Sequence, residues 1–264
     1  NRFLVNAGSD NFHAGPIILK SKNTCTQCSA GTYSAGGTAT SCETCPSGYG
    51  ASAAGSDAAS DCYMSVAAKK YVKTANDATA TACGTGTYKA AHTVYYGGTS
   101  TCSSCPSGYD DGAAGATQGE CVISVAGGKY VGTANSATLS PCAGGTYKAQ
   151  HTVAYGSTSS CGTCPANSYC TAGSSAAKAC STLASGFYPY SAAGSDAAAD
   201  CKTDVLSGKY VASANATGAT SCAAGKFKGA HQVNYGSTSS CDACAFGSYS
   251  AAGASACTAC QSGK

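Results

Sequence analysis

Several residue types that most domains rely on are scarce here. The 264-residue chain has no Trp, one Met and five Phe, and charged residues make up only 10%. Leu, Ile and Val are also few, so most of the 43% counted as hydrophobic is Ala, Cys and Tyr. A large core of branched aliphatics cannot be assembled from this stock. The net charge of +3 is close to neutral. That excludes the dense Lys/Arg footprint needed to displace counterions from nucleic acid. No apolar run approaches the ~20 residues of a membrane-spanning helix. The opening residues, NRFLVNAGSDNF, lack the charged start and apolar block of a secretion leader, as expected once a leader has been removed.

What the chain does have is 20 Cys, 34 Gly and 17 Tyr. So much cysteine in a chain so poor in core residues points to disulfide stapling in an oxidising compartment. The sequence also repeats itself. GTYKAAHTVYYGGTSTCSSC begins at Gly86, GTYKAQHTVAYGSTSSCGTC at Gly145 and GKFKGAHQVNYGSTSSCDAC at Gly225. Cys62 to Cys83, Cys121 to Cys142 and Cys201 to Cys222 each enclose 20 residues, and the period is about 60. This divides the chain into a non-repeat segment (1–24), a partial repeat (25–45), blocks at 46–105, 106–164 and 165–244, and a partial repeat (245–264). The third block carries an insertion of about 20 residues, CPANSYCTAGSSAAKAC, from Cys164 to Cys180.

Within this period an aromatic residue, often two after a Gly, recurs every ~20 residues, from Tyr33 to Tyr249. Helical apolar spacing is missing. Short alternating pieces such as KYV, TYK and HTVAY are rich in strand formers. The expected fold is small, disulfide-rich and mainly β: short strands and hairpins in tandem Cys-rich repeats, stacked into an elongated rod because no unit can bury its own face. The aromatic series is expected inside that stack.

Units such as CTQCSAGTYSAGGTATSCETCPSGYG (Cys25 to Gly50) resemble the cysteine-rich repeats of ciliate surface immobilisation antigens. They are also similar to the wider class of ephrin-receptor-like and growth-factor-receptor-like cysteine-rich modules. CPANSYCTAGSSAAKAC is similar to the CPxGxYCxxG variant of that class, and the resemblance spans Cys25 to Cys260. It implies a secreted, disulfide-bonded protein held at a cell or ciliary surface by a lipid anchor.

If neighbouring cysteines flanking one aromatic unit pair, the bridges are Cys28–Cys42, Cys45–Cys62, Cys83–Cys102, Cys105–Cys121, Cys142–Cys161, Cys164–Cys170, Cys180–Cys201, Cys222–Cys241 and Cys244–Cys257. A crossed set, Cys25–Cys42 with Cys28–Cys45, is the competitor, because spacing does not fix connectivity. The neighbour scheme leaves Cys25 and Cys260 for an intermolecular or out-of-chain bridge.

Other chemistry has a plainer reading. The Cys-x-x-Cys pairs fit four-thiolate zinc spacing only loosely, and isolated cysteines such as Cys83 belong to the same array. No βαβ pattern supports a redox pair. His92, His151 and His231 hold one repeat position, whereas an active site is one constellation; no Asp keeps a fixed relation to them, so a triad lacks support. Asp57/Asp61 and Asp196/Asp200 suit turns better than calcium. No catalytic residue, metal or cofactor is expected. Asn215-Ala216-Thr217 is a standard N-glycosylation sequon. The aliphatics of the first 24 residues, Phe3, Leu4, Val5, Ile17, Ile18 and Leu19, fit either a cap on the rod or a strand for self-association. The leading expectation is a non-enzymatic extracellular surface-coat rod or head-to-tail fibre subunit, with glycans and self or surface contacts as partners. The alternative is a ligand-binding receptor-type ectodomain, with the Tyr169 to Tyr190 insertion as its candidate surface.

Overall fold

The computed structural model describes residues 17–21, 24–37, 39–110 and 112–261. The chain divides into two compact units, Asn1–Ile123 and Ser124–Lys264. Among the described residues every strand has two to five residues, and every sheet pairs two strands. The helical segments are short 3-10 turns at Ala59–Asp61, Gln118–Glu120 and Ala198–Asp200, plus an irregular one at Cys180–Gly186. Gly, Ser and Thr break every run before an α-helix can nucleate, while β-branched residues favour short pleated pieces. The mainly-β, disulfide-rich repeat class is therefore the fold.

Each unit has a small valine core. In the first, strand Tyr63–Val66 runs antiparallel to His92–Tyr95, pairing Met64 with Val94 and Val66 with His92. Val66, Val72 and Val94 are buried together, flanked by Met64 and Ala80. In the second, Lys202–Val205 pairs with His231–Asn234, and Val205, Val211 and Val233 form the same cluster against Phe187, Ala216 and Ala219. Val125, Val131 and Val153 are buried in that unit as well. Three buried valines supply on the order of 5 kcal/mol gross, so the staples have to do the rest.

Nine disulfides join neighbouring cysteines: Cys28–Cys42, Cys45–Cys62, Cys83–Cys102, Cys105–Cys121, Cys142–Cys161, Cys164–Cys170, Cys180–Cys201, Cys222–Cys241 and Cys244–Cys257. Cα–Cα separations run from 5.6 to 5.9 Å, the ordinary span of the bond. One substitution pattern is instructive. Cys164, Tyr169 and Cys180 match Cys244, Tyr249 and Cys260, each 80 residues on. Where Cys244 pairs with Cys257, the earlier copy has Ala177 and has gained Cys170 in place of Ser250. Cys164 pairs with that new cysteine, so the staple is moved rather than lost.

A second recurring element ties the repeats together by backbone alone. A short shelf, usually Gly-x-aromatic-x, donates two N–H groups to a later clasp, usually x-Ala-Ala-Gly-x. Gly31 and Ser34 donate to the carbonyls of Ser52 (3.3 Å) and Ser56 (3.1 Å); Gly86 and Lys89 to Gly112 (3.1 Å) and Gly115 (3.0 Å). In the second unit Gly145 and Lys148 donate to Cys170 (2.8 Å) and Ser174 (3.2 Å). Asn167 and Cys170 donate to Ser191 and Ser195 (3.0 Å each), and Gly225 and Lys228 to Ala254's segment at Ser250 (3.0 Å) and Ala254 (3.2 Å). The clasp glycine usually answers by donating to the cysteine that precedes the shelf, as Gly55 does to Cys28 and Gly194 to Cys164, 2.8 Å each. Gly55 and Gly194 hold φ of +82° and +80°, a region that strains any side chain.

The aromatic series is less uniformly internal than expected. Tyr49, Tyr109 and Tyr188 are fully buried, most of the others are half-buried, and Tyr249 is 58% exposed. A two-residue strand offers its ring one neighbour on one side, whereas Tyr49 and Tyr188 lie outside the strands and are each met by a second ring. Tyr96 meets Tyr49 edge-on at 5.3 Å, and Tyr235 meets Tyr188 at 5.4 Å.

At the N-terminal side, strand Ile17–Ser21 pairs antiparallel with Thr24–Gln27, with Leu19 opposite Cys25. The backbone of Ile17, Ile18 and Leu19 is thus partnered within its own chain. Phe3, Leu4, Val5 and the side chain of Cys25 lie outside the described residues.

Candidate functional site

The histidines build one constellation three times. In the first copy Ser100 Oγ accepts the Val72 N–H at 3.0 Å and lies 2.9 Å from His92 Nε2, while His92 Nδ1 lies 3.0 Å from the Ala90 carbonyl. The second copy joins Val131, Ser159 and His151 to Ala149, and the third joins Val211, Ser239 and His231 to Gly229, with matching distances. A carbonyl can only accept, so Nδ1 carries the proton and donates. With one proton on the ring, Nε2 accepts from the serine hydroxyl, whose oxygen accepts the valine N–H. Every donor in this relay has a partner. Ser100, Ser159 and Ser239 also return a backbone N–H to Val72, Val131 and Val211 at 2.8 to 2.9 Å.

A Ser–His contact of this length is the geometry of an activated nucleophile. Here its chemistry is spent on the backbone. The histidine is oriented by a carbonyl, not a carboxylate, and the serine oxygen is pinned by an amide. The arrangement is a rung that ties the buried valine to the next strand. Ser100, Ser159 and Ser239 were the residues missed at the sequence level. The signal for them was the constant His-x7-Ser spacing.

The acidic positions close turns. Asp61 Oδ2 accepts the N–H groups of Asp57 (2.9 Å) and Ala58 (3.1 Å), and Asp200 Oδ2 accepts those of Asp196 and Ala197 (3.0 Å each). The Asp57 amide, helped by Ala58, holds the Asp61 carboxyl below its usual range. Glu120 takes the same role for Ala116 and meets Lys69 at 3.1 Å. Among the described residues no group of three or more His, Cys, Asp or Glu gathers to hold a metal. Every cysteine from Cys28 to Cys257 is in a disulfide, and Cys260 is exposed with a free thiol.

The sequon sits on a turn. Asn215 is exposed, with φ of +61°, and Ala216 N–H donates to the Ser213 carbonyl at 3.2 Å. Asn76 and Asn135 repeat that turn with φ of +63°. The Tyr169 to Tyr190 insertion carries Lys178 5.9 Å from the Tyr169 ring centre and a half-exposed Tyr190. Nearby, a shallow depression of about 460 Å³ is lined by Ser195, Asp196, Asp200, Lys202 and Asn234. A smaller one, about 300 Å³, lies on the equivalent Ser56, Asp61 and Tyr63 of the first unit, so the feature belongs to the repeat.

Residues 15–62 match the family model described as tyrosine-protein kinase ephrin type A/B receptor-like. The chain is a cysteine-rich repeat protein. No curated protein matches it. The matched stretch contains the first shelf and clasp and the bridges Cys28–Cys42 and Cys45–Cys62. The module and the nine disulfides mark an extracellular or surface protein. No helix among the described residues is long and apolar enough to cross a membrane.

Proposed function

We propose that this protein is a non-enzymatic extracellular structural or surface-coat protein. Its repeats form an elongated spacer like the ciliate immobilisation antigens it resembles, glycosylated at Asn215 and joined to copies of itself head to tail. The observation that carries this reading is the repetition itself. Each polar constellation that could do chemistry occurs in several copies and is consumed by backbone ties. A coat needs a durable, protease-resistant surface, and a ladder of staples with small polar fillings supplies one. The match to a receptor-type module favours a second reading, a ligand-binding ectodomain.

Antibody labelling of intact, unpermeabilised source cells separates the two, combined with glycan and peptide array binding. A continuous surface layer with no selective ligand supports the coat. Saturable binding of one ligand class with patchy labelling overturns it. Small-angle scattering of the purified chain should give an elongated particle, and N-glycosidase should lower the mass of the native protein but not of an Asn215→Gln variant.

A further inference from the structure

The nine disulfides close nine separate loops, and no two of them overlap. Three stretches of 20 residues, between Cys62 and Cys83, Cys121 and Cys142, and Cys201 and Cys222, are spanned by no bridge. At the first of them the fold brings together a different pair of side chains. Tyr63, directly after Cys62, stands opposite Tyr95, which lies inside the Cys83–Cys102 loop. The Tyr63 N–H and carbonyl are both bonded to Ala51, at 2.7 and 3.4 Å, and the Tyr96 N–H reaches the Cys62 carbonyl at 2.8 Å. Tyr63 and Tyr95 are thus a non-hydrogen-bonded pair of the ladder, the kind that brings opposite side chains closest. Their ring centres lie 5.7 Å apart, edge to face at 63°.

This pair is not part of the repeat. Val122 and Lys202 hold the position after Cys121 and Cys201, and Ala154 and Asn234 hold that of Tyr95. The later copies of the ladder form without rings there, so the fold does not require them. Among the described residues neither phenol hydroxyl has a hydrogen-bond partner, whereas Tyr49 Oη is spent on the Asp77 carbonyl. Two other tyrosine pairs are closed to solvent, since Tyr49 and Tyr188 are fully buried where they meet Tyr96 and Tyr235. Tyr95 is 55% exposed and Tyr63 half-buried, and both line the depression of about 300 Å³ beside Ala54, Gly55 and Asp61. Solvent reaches both rings, and no hydrogen bond pins either.

We infer that Tyr63 and Tyr95 are the site of a dityrosine bond, made by a haem peroxidase with hydrogen peroxide as the oxidant. This rests on the coat reading, since durability outside a cell is what such a bond adds. Peroxide takes one hydrogen atom from each phenol, giving two phenoxyl radicals and two waters. The two unpaired electrons become one carbon–carbon bond between ring positions ortho to the hydroxyls. The hydrogen on each joined carbon returns to its oxygen, so both phenols are restored and the chain has lost two hydrogens. Holding both radicals in one molecule makes their coupling outrun encounters between molecules. The bond ties the residue beside the Cys45–Cys62 staple to the Cys83–Cys102 loop and closes the unspanned stretch. Unlike the disulfides, it survives reducing agents.

The test starts with the protein taken from its source, reduced, digested and mapped by mass spectrometry. A linked peptide pair containing Tyr63 and Tyr95, lighter than the two peptides by two hydrogens, is expected. The recombinant full chain, treated with peroxidase and peroxide, should form the same link and remain monomeric after reduction. Tyr95→Phe should melt like the native chain before oxidation and lower dityrosine fluorescence after it by about tenfold or more. Tyr190→Phe, at another exposed tyrosine, should leave the yield unchanged. Absence of the linked pair from the source material, coupling that maps to other tyrosines, or a yield insensitive to Tyr95→Phe overturns the inference. Surface labelling of cells reads the coat and is blind to this bond, so failure of the cross-link and failure of the coat reading are distinguishable.

Discussion

Asn167–Cys170 and Gly247–Ser250 are one structural element written twice, 80 residues apart. The first is clasped by Ser191–Ser195, with its tyrosine half-buried and both amides bonded. The second has the same strand pairing but an exposed tyrosine and open amides. Ser191–Ser195 lies 24 residues past Asn167, and the same step from Gly247 runs past Lys264. A shelf is covered by the segment that follows it, as expected where each repeat contacts only its neighbours.

The comparison can be broken most severely at the staple that holds the clasp. Cys180 and Cys201 are fully buried around Tyr188, and their bridge closes the loop carrying Ser191–Ser195. Cys201→Ser should cost about 3 kcal/mol in denaturant unfolding and leave Asn167–Cys170 as open as the bare shelf. Cys260→Ser should change stability by less than about 0.5 kcal/mol.

A smaller effect is expected at the rungs. Val131 is fully buried and its amide depends on Ser159, so Ser159→Ala should cost about 1–2 kcal/mol by thermal or denaturant melting. An exposed neighbour such as Ser157 should tolerate the same change.

Tyr49 and Tyr188 sharpen the contrast between blocks. Both are fully buried, and burial raises the pKa of both phenols. Tyr49 Oη donates to the Asp77 carbonyl at 3.0 Å, whereas Tyr188 Oη has no partner. Four residues more separate Cys180 from Tyr188 than Cys45 from Tyr49, and Ala184 and Ser185 turn through positive φ (41° and 55°) to absorb them. Tyr49→Phe should cost about 1 kcal/mol, and Tyr188→Phe should be neutral or stabilising, both read from unfolding curves.

The smallest effect is on pH. The folded-state pKa of Asp61 is lowered by the Asp57 amide, and that of Glu120 by the Ala116 amide and then Lys69. Their contribution is present above the unfolded carboxylate values and is lost as pH falls through the lower folded values, in the window below about pH 4. Melting temperatures should drop there, less steeply in Asp61→Asn.

Composition, the cysteine array and the Gly-x-Tyr period made the fold class legible, because each reports directly on what the chain can and cannot bury. The valine clusters were not legible. Val66, Val72 and Val94 are distant in sequence and meet only once two hairpins have formed. The serine partners of the histidines were hidden for the same reason: Ser100 reaches Val72 across 28 residues. The aromatic series was over-read, since periodicity locates a ring but not the later segments that cover it.

The most direct test of the shelf-and-clasp account is amide hydrogen exchange at Asn167 and Cys170 in the native chain and in Cys201→Ser. The account predicts that both amides are protected in the native chain and lose that protection in Cys201→Ser, while Val72 in the first unit keeps its own. Protection of Asn167 and Cys170 that survives loss of the staple, or fast exchange there in the native chain, would contradict it.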